Sequence, residues 1–264
     1  MSDTGSYGSA ALIIIECILS LLCGCGKEAD TFTVGFDAEF PPYGYQDANG
    51  EYTGFDLVLA EELCKRLDWE LVKKPIDWDA KDQELNTGSI DCIWNGFTIQ
   101  GREDLYTWTV PYVDNSQVIV VKADSGIKSA ADLAGKNLVV QADSSALAAL
   151  TGEDATDANK ALVKSLKALT EVADYNSAFM MLESGAVNAI ALDVGVADYQ
   201  LAQRQGFVKL DLVLAAEQYG IGFKKGNTEL RDTVEKTLME MVKDGTFTKI
   251  AADWGLSSAV CLGK

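Results

Sequence analysis

LNTGSIDCIWNGFT, residues 85–98, decides the fold, because it returns in altered form as LESGAVNAIALDVG at 182–195. Each copy holds the end of a helix, a glycine suited to stopping it (Gly88, Gly185) and an apolar run that reads as a buried strand. Leu85 with Leu182 and Ile93 with Ile190 are offset by the same 97 positions. At that offset Gly96 corresponds to Asp193, each at the carboxyl end of its strand. Ligands of open α/β sheets bind at such ends, so two of them facing across a cleft would frame a ligand site.

Outward from these copies, the elements alternate. FTVGF (32–36) reads as a strand, and Asp56 caps a helix over LVLAEELCKRL (57–67). LVKKPI (71–76) is a strand, and Asp77 or Asp79 opens the helix that Gly88 closes. Later come the strand KNLVVQA, a helix from SSALAALT, the strand ALTEVA and the helix YNSAFMMLES. NAIALD, a helix through Gln205 and the strand FVKLDLVL follow. This order predicts an α/β protein with largely parallel sheets covered on both faces, divided into two similar lobes.

Composition removes many functions. The formal net charge is −18, with 40 acidic against 22 basic residues, which argues against nucleic acid and against anionic lipid as partners. The chain has no histidine, so imidazole-based nucleophile systems and most zinc sites are excluded; no metal or cofactor is expected. The apolar run from Ala10 to Cys23 suits the core of a secretory leader spanning residues 1–26. It ends in Leu22-Cys23-Gly24-Cys25, which resembles a bacterial lipoprotein box with Cys25 as the lipidated residue. The expectation is export with a lipid anchor; a buried N-terminal helix is the alternative. Cys64, Cys92 and Cys261 would then meet an oxidising compartment, and three is an odd number.

Two loops carry candidate chemistry. YGIGFKKG (219–226) superficially suggests a dinucleotide loop, but a helix follows and no second βα unit does, so it reads as strand, turn and capped helix. Asp37 and Glu39 follow the first strand directly, in the proline loop GFDAEFPPY (35–43). They read as solvated loop acids, or as carboxylates for the polar or cationic end of a ligand. In the second reading Phe40, Tyr43 and Trp78 take the ligand's aliphatic stem. Taken alone, Arg102 in QGRED (100–104) reads as a surface arginine paired with Glu103 or Asp104.

VGFDAEFPPYGY, GEYTGFDLVLAEELCKRL, PIDWD, NTGSIDCIWNGFTI, PYVDNSQVIVV, IKSAADLAGKNLVVQ and EQYGIGFKKGNTELRD occur in this succession. Together they resemble the type II periplasmic binding proteins that deliver polar amino acids to ABC importers, over about residues 31–257. The resemblance implies two lobes joined by a two-segment hinge: lobe one 30–115 plus 219–264, lobe two 116–218. It implies that Arg102 grips the ligand's α-carboxylate, helped by Thr98 and by the helix start at Ser144 and Ser145. Asp193 would hold the α-ammonium beside the Gly96 carbonyl, with Asp37, Trp78 and Asn95 on the side chain. Arg102 arrives one residue earlier than in the family's commoner form, and Asp143 stands where a glycine is usual. The implied partners are a free amino acid, basic or amide in its side chain, and ABC permease subunits. The chain would act outside the cytoplasm as a monomer, touching the membrane only through its anchor. Two rivals share the scaffold. An enzyme resembling cyclohexadienyl dehydratase would need an acid poised over a leaving group. A ligand-sensing module predicts transmembrane segments, and none is read between or after the lobes.

Overall fold

Period-two alternation builds the strands. In the computed structural model, which describes residues 30–264, β1 (Thr31–Phe36) leads into a small three-stranded sheet. Its strands are β2 (Glu39–Phe40), β3 (Gly44–Gln46) and β4 (Tyr52–Thr53). Then come α1 (Phe55–Leu67), β5 (Glu70–Pro75), a 3₁₀ turn at Trp78–Ala80, α2 (Lys81–Thr87) and β6 (Cys92–Thr98). β7 (Tyr106–Trp108) and the ten-residue β8 (Val113–Lys122) lead on to β9 (Asn137–Gln141), α3 (Ser145–Thr151) and α4 (Asp157–Ser165). β10 (Ala168–Val172), α5 (Tyr175–Ser184), β11 (Ala189–Asp193) and α6 (Val194–Gln203) follow. The 18-residue β12 (Phe207–Lys224) precedes α7 (Thr228–Lys243) and α8 (Thr246–Asp253).

The sequence echo is structural. Gly88 and Gly185 donate to the carbonyls of Leu85 and Leu182, and Ser89 and Ala186 donate to those of Glu84 and Met181. Both helices thus end in the same pair of capping bonds, at the same offset. The main sheet repeats the symmetry in its order, β10-β9-β11-β8-β12-β6-β1-β5. β1 lies parallel between β5 and β6, and β9 lies parallel between β10 and β11. β8 and β12 run antiparallel to each other at the centre and antiparallel to the triplets they flank. The sheet is therefore mixed and continuous, not the largely parallel pair expected. The cause is β12: FVKLDLVL and YGIGFK are one strand, because nothing in Ala215–Gln218 breaks an extended chain. Side chains alternate across the sheet, with Val118, Val120, Ile190 and Leu192 in one core and Ile119, Val121, Ala189 and Ala191 in another.

Asp56 is not a helix cap. It lies inside the first turn of α1 with its carboxylate buried, accepting the Gly96 N–H at 2.6 Å and the Tyr112 hydroxyl at 2.8 Å. Burial pushes its pKa up to about 7. The residue before α1, Gly54, has φ 135°, and a Cβ there would sit 2.2 Å from the Tyr43 carbonyl oxygen. The turn presses α1 onto the proline loop, where Phe55 donates to the Pro42 carbonyl. Gly54→Ala is expected to destabilise the protein by about 3 kcal/mol, through backbone strain and loss of that docking. A thermal melt within a degree of wild type would contradict this.

Candidate functional site

Arg102 reaches the site through a tight turn. Its N–H donates to the Ile99 carbonyl at 2.9 Å, with Gly101 at φ 78° in the third position, where a type II turn demands glycine. This turn accommodates the shortened loop. Trp108 Nε1 then holds the Arg102 carbonyl at 3.1 Å, and the guanidinium lies 5.3 Å from the Phe97 ring centroid. The guanidinium donates to the Ser145 hydroxyl at 2.9 Å, the Asp143 carbonyl at 3.1 Å and the Thr98 carbonyl at 3.4 Å. It makes no ion pair with Glu103 or Asp104 among the described residues.

Asp143, the acid in place of a glycine, adopts the left-handed conformation with φ 53°. Its carboxylate accepts from the Lys81 ammonium, whose side chain is almost wholly buried and lies 5.0 Å over the Trp78 ring. Burial holds the Lys81 pKa below the usual lysine range, and the Asp143 bond offsets only part of that. The extra acid is thus paired and leaves the Arg102 guanidinium uncompensated. Ser144 spends its hydroxyl capping α3, accepting the Leu147 N–H at 3.1 Å, so of the two serines Ser145 is the one that meets Arg102.

Opposite in charge is a pair of buried acids. Strand register sets them side by side: β8 lies between β11 and β12, with Gln117 beside Asp193 and Asn115 beside Glu217. Asn115 Nδ2 donates to Asp193 at 2.8 Å and to Glu217 at 2.5 Å; Gln117 Nε2 donates to them at 2.7 and 2.6 Å. Tyr219 adds a bond to Asp193 at 2.6 Å, and Thr98 Oγ1 donates to Glu217 at 2.9 Å. Burial raises both carboxyl pKa values, that of Glu217 to about 7, with the Asp193 charge next in importance. Thr98 therefore touches both poles: its carbonyl takes Arg102 and its hydroxyl takes Glu217.

A cleft of about 720 Å³ is lined by Asp37, Glu39, Asp77, Trp78, Asp79, Glu84 and Asp174 among others, and by no lysine or arginine. Asp37 accepts the Glu39 N–H at 2.8 Å and Gln141 Nε2 at 2.7 Å, and burial pushes its pKa up to about 6. Glu39 accepts from Asn176. Phe40 and Tyr43 do not line this cleft. They are packed in the core, Phe40 5.9 Å from the Tyr175 ring and Tyr43 edge-on to Tyr219 at 5.1 Å. Asn95 is buried with neither side-chain polar atom bonded, and the Gly96 N–H, a separate group from the carbonyl named for the ammonium, donates to Asp56. Sequence reasoning missed Glu217 and Lys81. The Asn115-x-Gln117 spacing, which puts two buried amides on one face of the strand beside Val113, Ile119 and Val121, was the available signal.

The mixed sheet with its mirrored order, an acid-lined cleft, and nearby a guanidinium without a carboxylate partner among the described residues and a buried acid pair together suit a solute-binding scaffold. The chain belongs to the bacterial extracellular solute-binding proteins, family 3, whose model matches residues 32–257. It is 28% identical to the L-cystine-binding protein TcyJ of Escherichia coli (strain K12) over 86% of this chain and 84% of that protein. An ancestral arginine-binding protein bound to arginine is 36% identical with a TM-score of 0.75, covering 85% of this chain and 97% of the other. The ancestral amino acid-binding protein AncCDT-1, a precursor of cyclohexadienyl dehydratase, is 30% identical with a TM-score of 0.76, covering 91% and 99%. The relatives are amino-acid-binding proteins. Cys64, Cys92 and Cys261 are each free, Cys25 and the leader lie outside the described residues, and among those described no helix is long and apolar enough to cross a membrane.

Proposed function

We propose that this protein captures a free L-amino acid with a cationic side chain, outside the cytoplasm, for delivery to an ABC importer. The observation that carries the reading is Thr98 bridging a guanidinium and a carboxylate pair. A zwitterion needs such opposite charges a few ångströms apart, with Arg102 for its carboxylate and Asp193 for its ammonium. The acid-lined cleft beyond, whose lining includes Asp37, Glu39 and Trp78, supplies the preference for a cation on an aliphatic stem. In this reading the molecule has two lobes, 30–115 plus 219–264 and 116–218, hinged in β8 and β12. Support comes from the register: Asn115 and Ser116, which flank the first boundary, pair with Glu217 and Ala216 beside the second. Arg102 on Ser145, Lys81 on Asp143 and Asp37 on Gln141 then all bond across the cleft. Cys25 carries the lipid anchor, and the protein works as a monomer with permease subunits.

Isothermal calorimetry against the twenty L-amino acids plus ornithine and cystine tests this. Arginine, lysine or ornithine is expected to bind most tightly, at micromolar concentration or below, and a flat response across the panel would sink the reading. The kinship with AncCDT-1 favours a second reading, an enzyme on this scaffold. Incubation with prephenate or arogenate decides it: both are expected to persist unchanged, and product would establish turnover.

A further inference from the structure

Resting on that reading, we infer that Glu217 and Asp193 act as one two-carboxylate receptor for the ligand's ammonium group, holding a proton when empty and releasing it to solvent when the ammonium enters. Glu217 is thereby a ligand-binding residue in its own right.

The geometry is that of a well-bonded acid pair with one oxygen left open, and on the Asp193 side the Tyr175 hydroxyl also reaches Oδ2 at 3.5 Å. Asn115 and Gln117 each place one N–H on each acid, so all four of their amide hydrogens are spent. Their own carbonyl oxygens, Asn115 Oδ1 and Gln117 Oε1, are buried and unbonded. Exchanging the amide oxygen and nitrogen would set oxygens against both carboxylates, so the assignment is fixed by chemistry. Glu217 Oε1 accepts three bonds, and its Oε2 has no partner among the described residues. Two acids this close and this buried resist ionising together near neutral pH unless a cation lies between them. A carboxyl proton offsets one charge; a ligand ammonium offsets it with a full positive charge and brings a donor to the open Glu217 Oε2.

The groups facing the pair leave these acids as the ones that titrate with the ammonium. Tyr219 of β12, Tyr175 of α5 and Tyr43 of the proline loop are all pushed above the usual tyrosine range by burial. From the β6 side come Thr98 and, beyond it, the Arg102 guanidinium. Asp56 acts on Tyr43, and Asp37 acts on Tyr175. Asp37 lies at the side-chain cleft, titrates near 6 and is the group whose proton has to be distinguished from that of the pair. When the ammonium arrives, the carboxyl O–H breaks, its proton leaves to buffer, and the freed carboxylate accepts an ammonium N–H.

The test is calorimetry of L-arginine binding to the wild-type chain at pH 6 in buffers of different ionisation enthalpy. Release of about one proton is expected, falling towards zero by pH 8.5, with affinity rising up to about tenfold per pH unit below 7. Glu217→Gln is expected to lose that release and about tenfold or more in affinity at pH 8. Asp37→Asn is expected to weaken arginine binding and yet to keep the release at saturating ligand. The wild-type measurement stands whether or not the variants fold. Arginine binding without proton release, or release that persists in Glu217→Gln and vanishes in Asp37→Asn, would overturn the receptor and leave the amino-acid reading intact. If no amino acid in the panel binds the wild type at all, both fall together.

Discussion

Arg102→Ala is expected to abolish amino-acid binding while leaving the fold in place. The guanidinium is fixed by its turn, by Trp108 on its carbonyl and by Phe97 beneath it, so it is held ready for a carboxylate before one arrives. In the proposed site, replacing it removes the bidentate, charge-assisted partner of the ligand carboxylate. The ligand carboxylate would then be buried unpaired, a loss of about 4 kcal/mol or roughly a thousandfold in affinity. Nothing in the core depends on the guanidinium, whose partners are the Ser145 hydroxyl and two backbone carbonyls that water can satisfy. Melting temperature is expected to move by no more than a few degrees. Calorimetry beside a thermal melt separates the two effects; an affinity close to wild type would show that the carboxylate is held elsewhere.

Asp193→Asn is the second large effect, and here stability and binding are expected to move in opposite directions. In the empty protein Asp193 sits against Glu217, and burial raises the pKa of both. An amide of the same shape removes that repulsion, keeps an oxygen for Tyr219, Asn115 and Gln117, and leaves stability unchanged or raised. In the proposed site the ligand ammonium loses its principal counter-charge, and affinity is expected to fall about a hundredfold, or roughly 3 kcal/mol. An analogue lacking the α-amino group is the control, because its weaker binding has no ammonium to lose. Equal losses for the amino acid and for the analogue would place the ammonium away from Asp193.

Much of this was legible in the sequence, and the parts that were not share a physical cause. The helix–glycine–strand echo could be read because capping and alternation are local, and so could the strand ends carrying Gly96 and Asp193. Glu217 could not, because one acid among 40 acquires meaning only when β8 brings Asn115 and Gln117 between it and Asp193. Asp56 looked like a cap because aspartate before an apolar run usually is one; its partners, Gly96 and Tyr112, lie 40 and 56 residues away. Phe40 and Tyr43 were expected to face the ligand as aromatics on a loop, yet the docking of α1 through Gly54 folds that loop into the core. The continuity of β12 was hidden because the sequence marks where a strand breaks far better than where two neighbouring runs fuse.

The Lys81–Asp143 pair has a consequence for the population of states. In the two-lobed reading this bond is made by the protein with itself and needs no ligand, so some empty molecules are already shut. Observed affinity is the intrinsic affinity of the competent state scaled by how often that state is occupied. A glycine at 143 would leave all of the closing to the amino acid. With aspartate there, part of the closing free energy resides in the protein, and the same bond must be undone before the ligand can be handed on. In that reading the residue at position 143 tunes capture against release without touching the solute.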